Sequence, residues 1–276
     1  MSFPIRFEKL KNERNSVLCV GLDPALPAQR KDAVISSKYL KNVDENEARL
    51  NFCLDMIDAV HESSIAVKPN QQYVFGFTKK DHQQLTNYSR KNGLISILDY
   101  KLNDIGETVA SAIFHLSDAG YDAITFNPLP GNLKETVDFA HEHSSVTRGF
   151  ELGIIALTLM SNPEAAIFMK KARVGKLAMY ESISKQVRDF NADGCVVGAT
   201  GHVRSGDIRN IRELVGKDKV FLVPGIGTQK GDAKKVLEAA GENVLINVGR
   251  DIIYSENPKL KAEHYSALFK SIRPVG

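Results

Sequence analysis

Cysteine is scarce in this chain, and neither sign of charge dominates. The three cysteines, Cys19, Cys53 and Cys195, are odd in number, far apart and never in a CxxC pair. That excludes a disulfide framework and offers no zinc-site spacing. Cys19 and Cys195 sit inside apolar runs, where a buried, inert thiol is expected. Lys+Arg 36 against Asp+Glu 33 leaves +3, too small a surplus to argue for a nucleic-acid or membrane partner. No run of about 18 apolar residues occurs, so no membrane-spanning helix is expected. The opening MSFPIRFEKLKNERN is charged and lacks the apolar stretch of a signal peptide. A cytoplasmic protein is the expectation. No GxGxxG follows the first apolar run and no His/Cys cluster stands out, so neither a metal nor an organic cofactor is expected.

What is present is alternation. Eight short runs rich in Val, Ile and Leu recur at 17–22, 65–68, 94–99, 123–126, 152–157, 194–197, 220–223 and 244–247. They are apolar throughout, as parallel strands covered on both faces are. Between them lie stretches with apolar residues at helical spacing, such as 45–61, 80–91, 105–119, 133–143 and 232–240. Gly120, Gly201 and Gly241 punctuate the expected element ends. The pattern predicts an α/β protein, a single (β/α)8 TIM barrel over 1–276. An open doubly wound sheet is the main rival. Two connections exceed the minimum: a long insertion after the first strand, about 24–64, and an extended loop over 161–176.

In such barrels reactive residues gather where the strands end and in the loops that follow. Those positions hold Asp23, Lys68, Asp99, Lys101, Asp104, Ser161, the loop from Pro224 through Gly227 to Gln229, and Gly249-Arg250. Strand alternation would put Asp99 and Lys101 on one face. A neighbouring carboxylate would keep Lys101 protonated and fit to donate a proton. The competing reading is an ordinary strand-end salt bridge followed by Asp104 as a helix N-cap. Lys68 could be a solvated boundary residue, and Asp23 before Pro24 a turn former. Convergence of all of them on one mouth is the argument for function.

The loops after the last two strands suit a phosphate. Val223-Pro224-Gly225-Ile226-Gly227-Thr228-Gln229 follows the seventh strand and Val248-Gly249-Arg250 the eighth, which are the usual phosphate-binding loops of this fold. Glycines let backbone N–H groups approach the oxygens, and Arg250 can pair with them bidentately. The alternative is a pair of tight turns beside a surface arginine.

The string LDYKLNDIGET resembles the DxKxxDI signature of the orotidine 5'-phosphate decarboxylase family. VGLDP, AVKPNQ, TLMSNPE, VVGAT, VPGIGTQKGD and NVGRDI are similar to that family's other blocks, in the same order, from Val17 to Ile253. The longer, bacterial-type branch fits best. Leu102-Asn103 stands where that branch often has Arg-Gly, which leaves the charged positions intact and the subgroup open.

The resemblance implies conversion of orotidine 5'-phosphate to UMP and CO2 in pyrimidine biosynthesis, with no cofactor. Asp23 and Lys68 would bind the ribose hydroxyls, and Lys68 would join a charged chain with Asp99, Lys101 and Asp104. Lys101 would protonate C6, and Ser161 would contact the pyrimidine. Gln229, Gly249 and Arg250 would hold the phosphate, with the loop from Thr228 to Asp232 closing over it. Asp104, Ile105 and Thr108 would act across a homodimer interface. Asn70-Gln71-Gln72 and Asn127-Pro128 receive no role. Two rivals are a Mg2+-dependent enzyme resembling 3-keto-L-gulonate 6-phosphate decarboxylase and a non-catalytic nucleotide-binding barrel. Against the first, the second strand ends in Lys68, where that relative carries a metal-binding glutamate. Against the second, the matched charges are intact.

Overall fold

The computed structural model describes residues 2–148, 151–226 and 233–273. Eight strands close into one parallel barrel: β1 (Leu18–Leu22), β2 (Ala66–Pro69), β3 (Ile95–Leu102), β4 (Ala123–Phe126), β5 (Gly153–Leu159), β6 (Gly194–Val197), β7 (Val220–Val223) and β8 (Val244–Val248). Each pairs with its neighbour in sequence, and β8 closes on β1 through Leu18 opposite Ile246 and Val20 opposite Val248. The (β/α)8 expectation holds, and the open-sheet rival does not.

The helices are α1 (Phe3–Arg14), α2 (Glu45–Val60), α3 (Lys79–Lys91), α4 (Gly106–Asp118), α5 (Leu133–Arg148), α6 (Met179–Asp189), α7 (Ser205–Val215), α8 (Ala233–Ala240), α9 (Arg250–Ile253) and α10 (Pro258–Ile272). Their starts show local causes. Asp44 accepts from the N–H groups of Asn46 and Glu47 at the head of α2, and Thr78 with Asp81 forms a capping box on α3. Gly120, Gly201 and Gly241 all have positive φ, which explains glycine at those bends.

Two apolar layers result from strand alternation. One set of side chains, including Leu98, Ile124 and Ile154, packs outward against the helices. The other, including Cys19, Ala66, Ile97, Ala123, Ile155, Val196, Leu222 and Leu245, fills the barrel interior. Each large apolar side chain so buried contributes roughly 1.5–3 kcal/mol. Helix α1 plugs the bottom of that interior with Phe3 and Phe7. A side chain at position 153 would come within 2.8 Å of Phe3 Cβ, so the first residue of β5 is glycine.

Both long connections carry structure of their own. Within 24–64, Glu45–Val60 is the helix that any β/α unit has, so the added length is the stretch before it, with a short 3-10 turn at Ser37–Leu40. The loop over 161–176 contains a π-helical turn, Ala166–Lys171, and its Arg173–Val174 pairs antiparallel with Leu177–Ala178 just beyond it.

Candidate active site

The interior layer ends in polar chemistry at the barrel mouth. Two residues beyond Ala66, Ile97 and Ala123 come Lys68, Asp99 and Thr125. Period-two alternation carries these three onto the inward face. Lys68 Nζ lies 2.5 Å from Asp99 Oδ2, and Lys101 Nζ lies 2.7 Å from Asp99 Oδ1. The Thr125 hydroxyl donates to Asp99 Oδ1 at 3.1 Å and accepts the Lys101 backbone N–H at 2.9 Å. One carboxylate thus holds two ammonium groups.

Lys101 does not get there by regular alternation. The pairing of β3 with β4 shifts register between Leu98 and Leu102, and Lys101 has φ +56. A left-handed conformation costs a residue with a Cβ about 1–2 kcal/mol. The expectation of simple alternation through Lys101 is therefore corrected: a bulge, pinned by Thr125, turns the lysine so that its ammonium meets Asp99.

The electrostatics favour full charge. Burial pushes the Lys68 ammonium toward lower pKa, but Asp99 and then Asp23 outweigh it, and its pKa is raised. Burial pushes Asp99 upward, yet Lys68 and Lys101 together hold it far below the usual carboxylate range. Asp23 stands at the end of β1, half-buried, close enough to Lys68 to act on its ionisation.

Lys68, Asp99, Lys101 and Thr125 line a cavity of about 220 Å3 with Leu157, Met160, Ser161, Asn162, Val196, Leu222 and Pro224. Its apolar wall and charged floor suit a flat ring with a polar edge. Ser161 is packed against the turn after β6: a side chain on Gly198 would come within 2.9 Å of it. On the rim, β1 and β8 approach so closely that a Cβ on Gly21 would lie 3.2 Å from Gly249 Cα. Arg250 opens α9, exposed and without an ion-pair partner among the described residues.

The expected residues therefore fall into three groups. Lys68, Asp99, Lys101, Ser161 and Pro224 share one cavity, with Asp23 beside Lys68 and Gly249-Arg250 at the rim. Asp104, Ile105 and Thr108 are exposed. Asp104 accepts from the Ile105 N–H and, through its carbonyl, from Asn132, and among the described residues no hydrogen bond or ion pair joins it to Lys101. The N-cap of α4 is Ile105, so the reading of Asp104 as that helix's cap is corrected. Gly227, Gln229 and the loop from Thr228 to Asp232 lie outside the described residues.

A family model described as "Orotidine 5'-phosphate decarboxylase / HUMPS family" matches residues 16–265. The chain belongs to that family. It is 32% identical to the orotidine 5'-phosphate decarboxylase of Cellvibrio japonicus, over 99% of this chain and 97% of that one. Leishmania donovani OMP decarboxylase is 26% identical and superposes with a TM-score of 0.76 across 100% of both chains. Leishmania donovani UMP synthase, 27% identical with a TM-score of 0.77, is longer: this chain spans 57% of it.

Thr125 was not among the expected site residues of this family member. Its signal was available, since it stands two positions past the inward Ala123, but 123–126 reads as uniform core. Asn247 at the end of β8 is the other omission: its side chain accepts from Cys19 Sγ at 3.6 Å and packs against Gly21.

Proposed function

We propose that this chain converts orotidine 5'-phosphate to UMP and CO2 in pyrimidine biosynthesis. The observation that carries the reading is the Lys68–Asp99–Lys101 array, with contacts of 2.5 and 2.7 Å, on the floor of a ring-sized cavity in a member of this family. The pyrimidine lies in the cavity against Ser161, the ribose hydroxyls meet Asp23 and Lys68, and the 5'-phosphate reaches Gly249-Arg250 on the rim.

The chemistry follows from charge. The bond between C6 and the carboxylate breaks, CO2 departs, and the electron pair stays on C6. The Lys101 ammonium faces that developing charge, stabilises it and then transfers a proton to C6. Water returns a proton to the lysine amine. Asp99 holds Lys101 in place, and its negative charge is better tolerated once the substrate's carboxylate has left as neutral CO2. Phosphate contacts far from C6 supply binding energy that orders the site. The reading includes a cytoplasmic homodimer in which Asp104, Ile105 and Thr108, exposed on their own subunit, complete the partner's site.

The test is direct. Purified protein is mixed with orotidine 5'-phosphate and EDTA, and loss of the substrate's pyrimidine absorbance is followed. Catalytic loss is expected, and Lys101→Ala should slow it at least about 1,000-fold while UMP still binds. No loss for the native chain, or loss only after adding Mg2+, would overturn the assignment.

A further inference from the structure

The added stretch between β1 and α2 is tied to two other mouth loops by one arginine and two tyrosines. The Arg30 guanidinium lies 5.1 Å from the Tyr73 ring centroid and 5.4 Å from that of Tyr254, an arrangement that strengthens as water is excluded. Its Nη2 donates to the carbonyls of Ala33 and Asp23, and its Nη1 to the Tyr73 hydroxyl at 3.5 Å. The Tyr254 hydroxyl donates to the Asp23 carbonyl at 2.7 Å and accepts the Ala25 N–H at 2.9 Å. Phe52 of α2 stacks on the Tyr254 ring at 5.5 Å.

Each partner belongs to a different part of the mouth. Asp23 ends β1. Tyr73 lies on the loop after β2, its N–H bonded to the Asn70 carbonyl just past Lys68-Pro69. Tyr254 directly follows α9, the short helix opened by Arg250. One cluster thus sets the spacing among the segments that follow β1, β2 and β8, next to Asp23, Lys68 and Arg250. Tyr254 grips the Asp23 main chain from the Arg250 side, and none of the three cluster side chains lines the cavity.

We propose that Tyr254 and Arg30 are positioning residues that hold Asp23 at a fixed reach from Arg250, so that a nucleotide's ribose diol and its 5'-phosphate are recognised as one unit. The added stretch before α2 is then a ruler for the substrate's sugar-phosphate. This rests on the reading that Asp23 takes the ribose hydroxyls and Arg250 the phosphate. A fixed spacing stabilises a ligand that presents both groups and does nothing for one that lacks the diol.

The full chain is titrated with UMP and with 2',3'-dideoxyuridine 5'-monophosphate, which keeps base and phosphate but has no diol. The native protein should prefer UMP by at least about 30-fold. Tyr254→Phe keeps the ring and loses both hydrogen bonds; it should weaken UMP about tenfold and leave the dideoxy ligand unchanged. Arg30→Gln should act in the same direction, and Arg30→Lys, which keeps the cation over the rings, should recover part of the loss. This second position serves as the test if Tyr254→Phe does not fold. Equal weakening of both ligands, or none, overturns the proposal. A native protein that does not distinguish the ligands overturns the ribose role of Asp23 and the proposal with it.

Discussion

Lys68 is the most demanding side chain in the mouth, a buried ammonium whose direct counter-ion is Asp99 at 2.5 Å. Removing one partner of a buried pair leaves the other uncompensated, at a cost of about 3–5 kcal/mol. The two deletions are not equivalent. Asp99→Ala strands Lys68, whereas Lys68→Met leaves Asp99 with Lys101 at 2.7 Å and Thr125 at 3.1 Å. Asp99→Ala should therefore lower the free energy of urea unfolding at pH 7 by about 3–5 kcal/mol, and Lys68→Met by clearly less. Equal losses would mean that Asp99 does not organise the cluster. The sign of the pH dependence follows from the two shifts. Asp99 is depressed, so its contribution is present above the ordinary carboxylate range and is lost as pH falls through its folded value. Lys68 is raised, so its contribution is present below its ordinary value of 10.5 and is lost as pH rises beyond it. The pair's contribution to the native protein should accordingly stay flat from about pH 5 to 9, whereas Asp99→Ala, whose Lys68 keeps the burial penalty and loses its main counter-charge, should become more stable as pH rises toward 10.5.

At the scale of elements, α1 shows what a plug contributes. Phe3, Phe7 and Leu10 recur at helical spacing and enter the barrel interior from below, far along the barrel from the mouth. Phe7→Ala should cost about 3–5 kcal/mol through the cavity it leaves, lowering Tm by roughly 2–4 °C per kcal/mol for a chain of this size. At a temperature where the variant is folded, kcat for orotidine 5'-phosphate should match the native value; a large drop in kcat would show that the plug shapes the mouth. The eight strands were legible because a run of Val, Ile and Leu buried on both faces leaves little ambiguity. Helix α1 is hard to read in the sequence because Arg6, Glu8, Lys9, Lys11, Glu13 and Arg14 mask a narrow apolar stripe. The pairing of Asp99 with Lys101 was legible from spacing, but the bulge that delivers it was not, since no residue pattern announces a lysine at φ +56. Thr125 was hidden for the opposite reason: a small hydroxyl within an apolar strand reads as filler until its neighbours across the barrel are known.

At the scale of the whole molecule, Lys101 shares its carboxylate with Lys68. Asp99 already serves two ammonium groups, while Asp104, three positions beyond Lys101, is exposed and, among the described residues, bonded to the Ile105 N–H and the Asn132 amide. An exposed Ile105 beside it, with Leu129 and Phe114 also exposed, gives this side of the barrel apolar surface that a second copy would cover. If Asp104 completes the partner's site, Asp104→Ala and Lys101→Ala should each be inactive, for complementary reasons. In a mixed dimer, the subunit bearing Asp104→Ala keeps its own Lys101 and receives an intact Asp104 from the Lys101→Ala subunit. That one site is whole and the other lacks both groups. Random reassembly of equal amounts makes half the dimers mixed, each with one working site of two, so about a quarter of native activity should return. Mixing the purified variants through a dissociating step and assaying decarboxylation measures it directly. Recovery near zero, with mixed dimers demonstrated by differential tagging, would place Asp104 in its own subunit's chemistry.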